Sequence, residues 1–506
     1  MTTIVLSAIA LSFAVYLAIG FHLSRDNKML GDFFPLLRGM NADIRSVSEF
    51  SSSQTAGILS FATIIIIFYD YAPSIGLLIT WCNITAALGL VIIQWMTPTI
   101  RKRLSEFESL PTMHEFIGQS FGSAILTKIC AVATVIGFLG AYALELTVCA
   151  RFFQPLLGNL SLNFLVFAFG GVGLLYTAAS GFRGVVLTDR VMLYSIWLFV
   201  LGSTAHYIVH FVTKGGFTEG VAQVMEVTMN PKFPPGLTLP LMMVAILLTN
   251  TFAYVADQSI FQRIVSANSS EVAQKGVSRS LKGSIVIWTW ILLLACLVGA
   301  ITPLIKDEKP LLSYLKYVGN EGSFMGNITL FMVCLGIIGA SLSTASTLLI
   351  SCANALYSDI VSKFYSKTMS EQADSAKALT VSRVLLVLSA VVSTVIVVQL
   401  FNKYNYAIFE LVLAIFSSQL GMCLPIILAI KMDNDRLKHL TNYAIGSVVA
   451  GFVMGWGFAL YGKISGNFEV GVIPAIVSFF SATLVLGIGL VVKRRIVFGQ
   501  DFVKET

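Results

Sequence analysis

Leu335-Gly336-Ile337-Ile338-Gly339-Ala340-Ser341-Leu342-Ser343-Thr344-Ala345-Ser346-Thr347 decides how this chain is read. It sits inside an apolar stretch of roughly 30 residues that contains no charged partner for its hydroxyls. In a hydrocarbon core an unpartnered hydroxyl is costly, so a cluster this dense must face other protein or hold something polar. At 100° per residue Ala340, Ser343, Thr344 and Thr347 share one helix face, where a carbonyl and two hydroxyls converge as an oxygen cage of the size a Na+ ion needs. Gly336, Gly339 and Ala340 also read as close-packing positions for a neighbouring helix.

Around this stretch the chain is built for a bilayer. Its 506 residues are 56% hydrophobic and 12% charged, with a mean hydropathy of +0.83, more apolar surface than a soluble core buries. Windows of about 19 residues pick out about 13 segments able to span roughly 30 Å of hydrocarbon. They lie near 3–24, 44–69, 74–99, 123–156, 162–180, 187–212, 238–263, 279–305, 325–358, 376–401, 405–430, 441–462 and 468–493. The expectation is an all-α polytopic membrane protein forming a single membrane domain over 1–506.

The first segment opens Met-Thr-Thr with no basic residue, and Arg25, Lys28 and Arg38 come after it, the pattern of a span that starts outside and not of a cleaved leader. An odd number of crossings puts the C-terminus in the cytoplasm. Assigning each Lys and Arg to its nearest loop then leaves about 25 of the 33 on the inner side, Arg101-Lys102-Arg103 and Lys493-Arg494-Arg495 among them. The net charge of +7 therefore reads as orientation signal and lipid contact, not as a nucleic-acid footprint. The expected location is the cell membrane, the inner one for a Gram-negative source.

Several classes are excluded. All seven cysteines fall within predicted spans with no Cys-x-x-Cys pair and read as small packing residues. His206 and His210, one helical turn apart, lack an evident third metal ligand. There is no Gly-x4-Gly-Lys-Ser/Thr pattern and no loop large enough for a nucleotide-binding domain, so neither ATP-driven pumping nor an enzyme is expected. The short tail after the last segment leads us to expect no attached cytosolic signalling module and no obligate protein partner.

A second polar cluster lies in Arg45-Ser46-Val47-Ser48-Glu49-Phe50-Ser51-Ser52-Ser53-Gln54-Thr55-Ala56-Gly57. An intact lipid-facing helix does not carry that composition. It reads as a helix that unwinds beside a cavity, where freed carbonyls and side-chain oxygens replace an ion's water shell. The alternative is that these hydroxyls bond back to carbonyls four residues earlier. Asp189 reads either as a hydrated carboxylate attracting a departing cation or as a first-turn acid behind a Thr188 cap. Glu145, Asp257 and Glu410 carry no assigned role.

Taken in order, five stretches resemble the sodium/solute symporter family over about residues 5–460. They are Ser48–Gly57; Pro111-Thr112-Met113-His114-Glu115-Phe116-Ile117-Gly118; Tyr176 through Asp189; Ala340–Ser346 running on to Asp359; and Asp257-Gln258-Ser259-Ile260-Phe261-Gln262-Arg263 with Ala273-Gln274-Lys275-Gly276. The resemblance implies the five-plus-five inverted-repeat fold seen in LeuT, with repeats at about 44–212 and 238–430 and peripheral helices at 3–24, 441–462 and 468–493. It implies a Na+ site built from backbone oxygens of Val47, Phe50 and Ala340 with the hydroxyls of Ser343 and Thr344, and Asp189 on the inward Na+ path. Gln54 matches a substrate-facing position and Glu49 a polar one. Ser53, Asn250, Tyr254 and Gln419 are further candidates for the solute, and Tyr69, Asp70 and Tyr71 for the cavity wall. The chain departs from the family at Ser180-Gly181-Phe182 and at Thr441-Asn442-Tyr443-Ala444-Ile445-Gly446, and its substrate residues do not match the sugar carriers.

The expected activity is Na+-coupled import of a small organic solute by alternating access, with solute, sodium ion and lipid as its only partners. Two alternatives stand beside it: a transport-like solute receptor, and a proton-coupled symporter with Glu49 as proton carrier.

Overall fold

The computed structural model describes residues 1–37, 39–40, 42–61, 63–64, 76–158, 160–229, 238–302, 310–364, 369–373, 375–396, 408–466 and 468–498. Its principal helices are α1 (Thr2–Ser24), α2 (Val47–Ile58), α3 (Gly76–Arg103), α4 (Met113–Ser120), α5 (Ala124–Leu157), α6 (Leu162–Lys214), α7 (Thr238–Val255), α8 (Gln258–Ser266), α9 (Ser270–Ile301), α10 (Phe324–Ala355), α11 (Ala376–Ile396), α12 (Ile408–Leu420), α13 (Cys423–Lys431), α14 (Thr441–Ser465) and α15 (Pro474–Val492). No strand occurs among the described residues, only an isolated bridge between Ile44 and Ala267.

Eleven helical stretches among the described residues are long and apolar enough to cross a bilayer. The expected count of about 13 differs for two local reasons. Residues 65–75, which run from the end of the second expected segment into the start of the third, lie outside the described residues, and with them the candidates Tyr69, Asp70 and Tyr71. The expected fifth and sixth segments form one helical run, α6, whose 53 residues reach about 80 Å at 1.5 Å each, enough for two passes. That run is broken only at Gly181, where φ is +61° and a side chain would strike Phe33. The departure at Ser180-Gly181-Phe182 is therefore the corner between two crossings.

Breaks inside spans are the feature that shapes the interior. The second segment stops at Ile58: Leu59 leaves the helical region at φ −79°, ψ 64°, and Ser60 caps the turn after it, its hydroxyl accepting from the Thr63 amide at 3.3 Å. The seventh stops at Val255, and Asp257 restarts it as the cap of α8, accepting from the amides of Ser259 (2.7 Å) and Ile260 (3.1 Å). One composition explains both: short polar side chains bond the amides that a helix start leaves orphaned. The Ile44 bridge ties the approach to α2 to the end of α8, with Ile44 N–H on Ser266 O at 2.9 Å and Asn268 N–H on Ile44 O at 3.0 Å.

α10 is the central post. From Val333 to Ala355 every side chain is buried, so its hydroxyls face protein on all sides and not acyl chains. It packs most extensively on α6, where Gly336 and Gly339 let its backbone approach the Phe199 side chain and the Met192 carbonyl. The close-packing reading of those glycines holds, and at 100° per residue Ser343 and Thr347 follow on the same side of α10, where they meet α6 and α8, while Thr344 meets α2.

Candidate functional site

The hydroxyls of α10 are dealt out to different neighbours. Ser343 donates to Asp189 Oδ1 of α6 at 2.7 Å, Thr344 to the Gly57 carbonyl of α2 at 3.3 Å, and Thr347 accepts from Arg263 Nη2 of α8 at 2.8 Å. Ser351, one further turn on, donates to Gln262 at 3.0 Å. Ser346 is the exception and bonds back to the Ser343 carbonyl. A single helical face therefore gathers α2, α6 and α8, as the 100° spacing of Ser343, Thr344 and Thr347 requires.

Against Thr344 stands Gly57, because α2 ends one residue later. In an unbroken helix the Gly57 carbonyl would accept from the amide of residue 61; the break at Leu59 releases it toward Thr344. Val47 and Phe50 are different. Both lie within α2, capped by Ser46 through the Glu49 amide at 3.2 Å. Phe50 also precedes Gly57 by seven residues, about 10 Å along the axis, and its ring packs on Gly276 of α9. The structure thus brings Thr344 to the broken end of α2 and its neighbour Ser343 to Asp189, with Ala340 one turn before Thr344 on α10, and leaves the Val47 and Phe50 carbonyls in the first turns of α2. The unwinding expected within 45–57 occurs at 59–60.

Beside this junction lies a buried ion pair. Asp189 is fully buried and accepts from Ser53 Oγ (2.7 Å), Ser343 Oγ (2.7 Å) and Arg263 Nη2 (3.2 Å). Arg263, also buried, donates from Nε to Ser53 at 2.9 Å and from Nη1 to the Ser259 carbonyl at 3.2 Å. Asp189 lies inside α6, and Thr188 bonds back to Gly184 at 2.9 Å, so the first-turn-cap alternative does not describe it. Arg263 belongs to one of the family-like stretches yet had no expected role. The signal that could have found it is the solitary basic residue of α8, which a membrane interior accepts only with a counter-charge.

A cavity opens on the other side of Gly57 and Thr344. Asn250, Tyr254 and Gln419 line it, together with Ser60, Glu145, Asp257 and Arg263, among a majority of apolar groups such as Phe138, Trp288 and Phe416. Asn250 anchors its amide on Cys82 O and Thr85 Oγ1, both at 3.2 Å. The Gln419 oxygen is buried with no hydrogen-bond partner among the described residues. Ser60 Oγ bonds Glu145, which ties the helix break to α5.

Three solute candidates are not part of that lining. Ser53 serves the ion pair. Gln54 is fully buried, off the cavity wall, with neither side-chain polar atom bonded among the described residues. Glu49 forms a two-pronged pair with Arg183, both contacts 2.9 Å, near one end of α2. Residues on one helix that lie a turn or less apart point to different neighbours, and the sequence cluster concealed that division. The side chain of Glu410 lies outside the described residues. His206 pairs with Glu321 at 3.2 Å, and among the described residues no three His, Cys, Asp or Glu side chains gather as a metal site. The oxygen-only junction of Gly57, Ser343 and Thr344 suits a hard monovalent cation.

Comparison with known proteins accords with this architecture. No curated protein matches the chain in sequence. A Na+-coupled sialic acid symporter, solved substrate-bound and outward-open with a novel Na+ site, superposes with a TM-score of 0.73 at 16% identity, covering 96% of this chain and 97% of that one. Mhp1, a nucleobase-cation-symport-1 transporter, matches in a closed conformation with bromovinylhydantoin bound (TM-score 0.52, 13% identity, 92% and 98% covered). It matches also in its inward-facing conformation (0.54, 12%, 91% and 93%). At such identities these likenesses carry the fold alone: an all-helical transporter architecture of the LeuT kind. The Sodium:solute symporter family model matches residues 70–434, well over half of the chain, and the chain belongs to that family.

Proposed function

We propose that the protein imports a small organic solute together with Na+ across the cell membrane, its N-terminus outside and its C-terminus cytoplasmic. Family membership makes it a transporter and not an enzyme, with Na+ as the coupling ion. One observation carries the reading of the site: the carbonyl freed by the break of α2 at Gly57 meets the Thr344 hydroxyl, one residue from Ser343, beside a cavity of mixed polarity.

In this reading Na+ binds among the Gly57 carbonyl, the α10 backbone at Ala340, and the hydroxyls of Ser343 and Thr344. Ser343 donates its hydrogen bond to Asp189, which turns its lone pairs toward the cation; Asp189 lies on the inward path. Na+ holds the broken end of α2 against α10 and so shapes the solute cavity, where Asn250, Tyr254 and Gln419 supply polar contacts. Binding of both ligands lets the two repeats, at about 44–212 and 238–430, rearrange and open inward. One charge crossing about 150 mV supplies roughly 3.5 kcal/mol, and a tenfold Na+ gradient adds about 1.4 kcal/mol. No covalent step is required.

The Glu49–Arg183 pair speaks against Glu49 as a proton carrier, since its charge is already matched away from the cavity. The test is a thermal-shift screen of the purified protein against small metabolites with and without NaCl, then uptake of each hit into proteoliposomes. A hit that needs Na+ to stabilise and is accumulated down a Na+ gradient is the expected result. Binding without accumulation would identify a receptor.

A further inference from the structure

Arg263 brings a permanent positive charge to the place where the proposed Na+ site is built. Its Nη2 lies 3.2 Å from Asp189 and 2.8 Å from Thr347, and its Nε 2.9 Å from Ser53. A Cβ added to Gly57, whose carbonyl receives Thr344, would come within 2.9 Å of the same Nη2. The guanidinium therefore touches elements on every side of the junction: α2 through Ser53 and Gly57, α6 through Asp189, α10 through Thr347. It also lines the solute cavity. Asp189 is the carboxylate bonded to Ser343, so the negative charge that would favour Na+ at that hydroxyl is the charge Arg263 neutralises. Two positive charges a few ångströms apart repel strongly in so dry a place.

We propose that Arg263 is a tethered cation that competes with Na+ for the charge of Asp189, and so lowers Na+ affinity and links Na+ occupancy to the solute cavity. This rests on the Na+ site proposed above. Without Na+, Arg263 neutralises Asp189 and holds α2, α6, α8 and α10 together. When Na+ binds, the guanidinium gives up its share of Asp189 and shifts toward the cavity it already lines. Return of the guanidinium to Asp189 displaces Na+ and so favours its release. Arg263 acts through Asp189 and is a positioning residue.

The experiment is a Na+ titration of the full-length protein in lipid nanodiscs, read by thermal shift and by 22Na+ binding, with N-methyl-D-glucamine chloride holding ionic strength constant. R263Q should lower the half-saturating Na+ concentration about tenfold, within the usual range of couplings between sites. T347V, which removes one acceptor of Arg263 and leaves the ion pair, should lower it about threefold. R263K, which keeps the charge, should stay within about threefold of the parent. If R263Q does not fold, T347V decides by the same criterion. A parent that responds to Na+ with R263Q unchanged or weaker overturns the tethered cation and leaves Na+ symport standing. A response in R263Q alone supports competition and removes Na+ binding from the parent. No response in either protein overturns both proposals.

Discussion

Asp189→Asn isolates the buried pair on which the interior of α6, α8 and α10 depends. Among the described residues Asp189 is the one carboxylate in hydrogen-bond reach of Arg263. Its loss leaves the guanidinium, 3% exposed, with three neutral acceptors, Ser53, Thr347 and the Ser259 carbonyl. Breaking a buried pair from one side costs about 3–5 kcal/mol. Asn also offers one oxygen where the three donors of Ser53, Ser343 and Arg263 had converged on two. For 506 residues unfolding as a unit, an unfolding entropy of about 1 kcal/mol per degree turns this into an apparent melting point lower by roughly 3–5 °C. R263Q should cost a similar amount by leaving the carboxylate unmatched. The double variant D189N/R263Q buries no charge and should cost only about 1–3 kcal/mol, an interaction energy of about 3 kcal/mol or more relative to the sum of the singles. Scanning fluorimetry in one detergent and lipid mixture, without Na+, measures the cycle. If the double variant is as unstable as the two singles added, Asp189 and Arg263 are not the partners described and the geometry around Ser343 must be redrawn.

The same geometry yields four further outcomes. S343A/T344A should abolish Na+ stimulation of uptake and Na+-dependent thermal stabilisation, and unaltered Na+ dependence would remove those hydroxyls from the cation site. Phe50→Ala, which empties the packing against Gly276, should cost about 3–5 kcal/mol of stability while the Na+ half-saturation of the protein that remains folded stays put; a selective loss of Na+ affinity would favour the Phe50 carbonyl as a ligand after all. E49Q should keep Na+-driven uptake without a new pH dependence, because its partner Arg183 lies off the cavity, and a loss of proton-driven uptake in that variant would revive the proton carrier. Q419A and N250A should raise the half-saturating solute concentration about tenfold, as expected for lost polar contacts of about 1–1.5 kcal/mol, with Na+ stimulation retained; unchanged solute affinity in both would move the solute elsewhere.

Composition and period were enough to establish an all-helical membrane protein, the shared face of Ser343, Thr344 and Thr347, and a discontinuity in the second segment, because hydrophobic content, helical spacing and orphaned polarity are local properties of the chain. Which carbonyl meets Thr344 was not local. Moving along a helix by seven residues shifts a carbonyl about 10 Å, so a hydroxyl-rich run such as Ser46–Thr55 does not say which carbonyl of the segment faces α10; the resemblance points to Val47 and Phe50, whereas Thr344 bonds the carbonyl of Gly57. Only the crossing of α2 over α10 selects Gly57, where the helix stops and the absent side chain leaves room for Arg263. The pairing of Asp189 with Arg263 has the same origin: 74 residues separate them, and nothing in either stretch names the other. Packing decides such partnerships because a buried charge is tolerated only where the fold brings its counter-charge into contact.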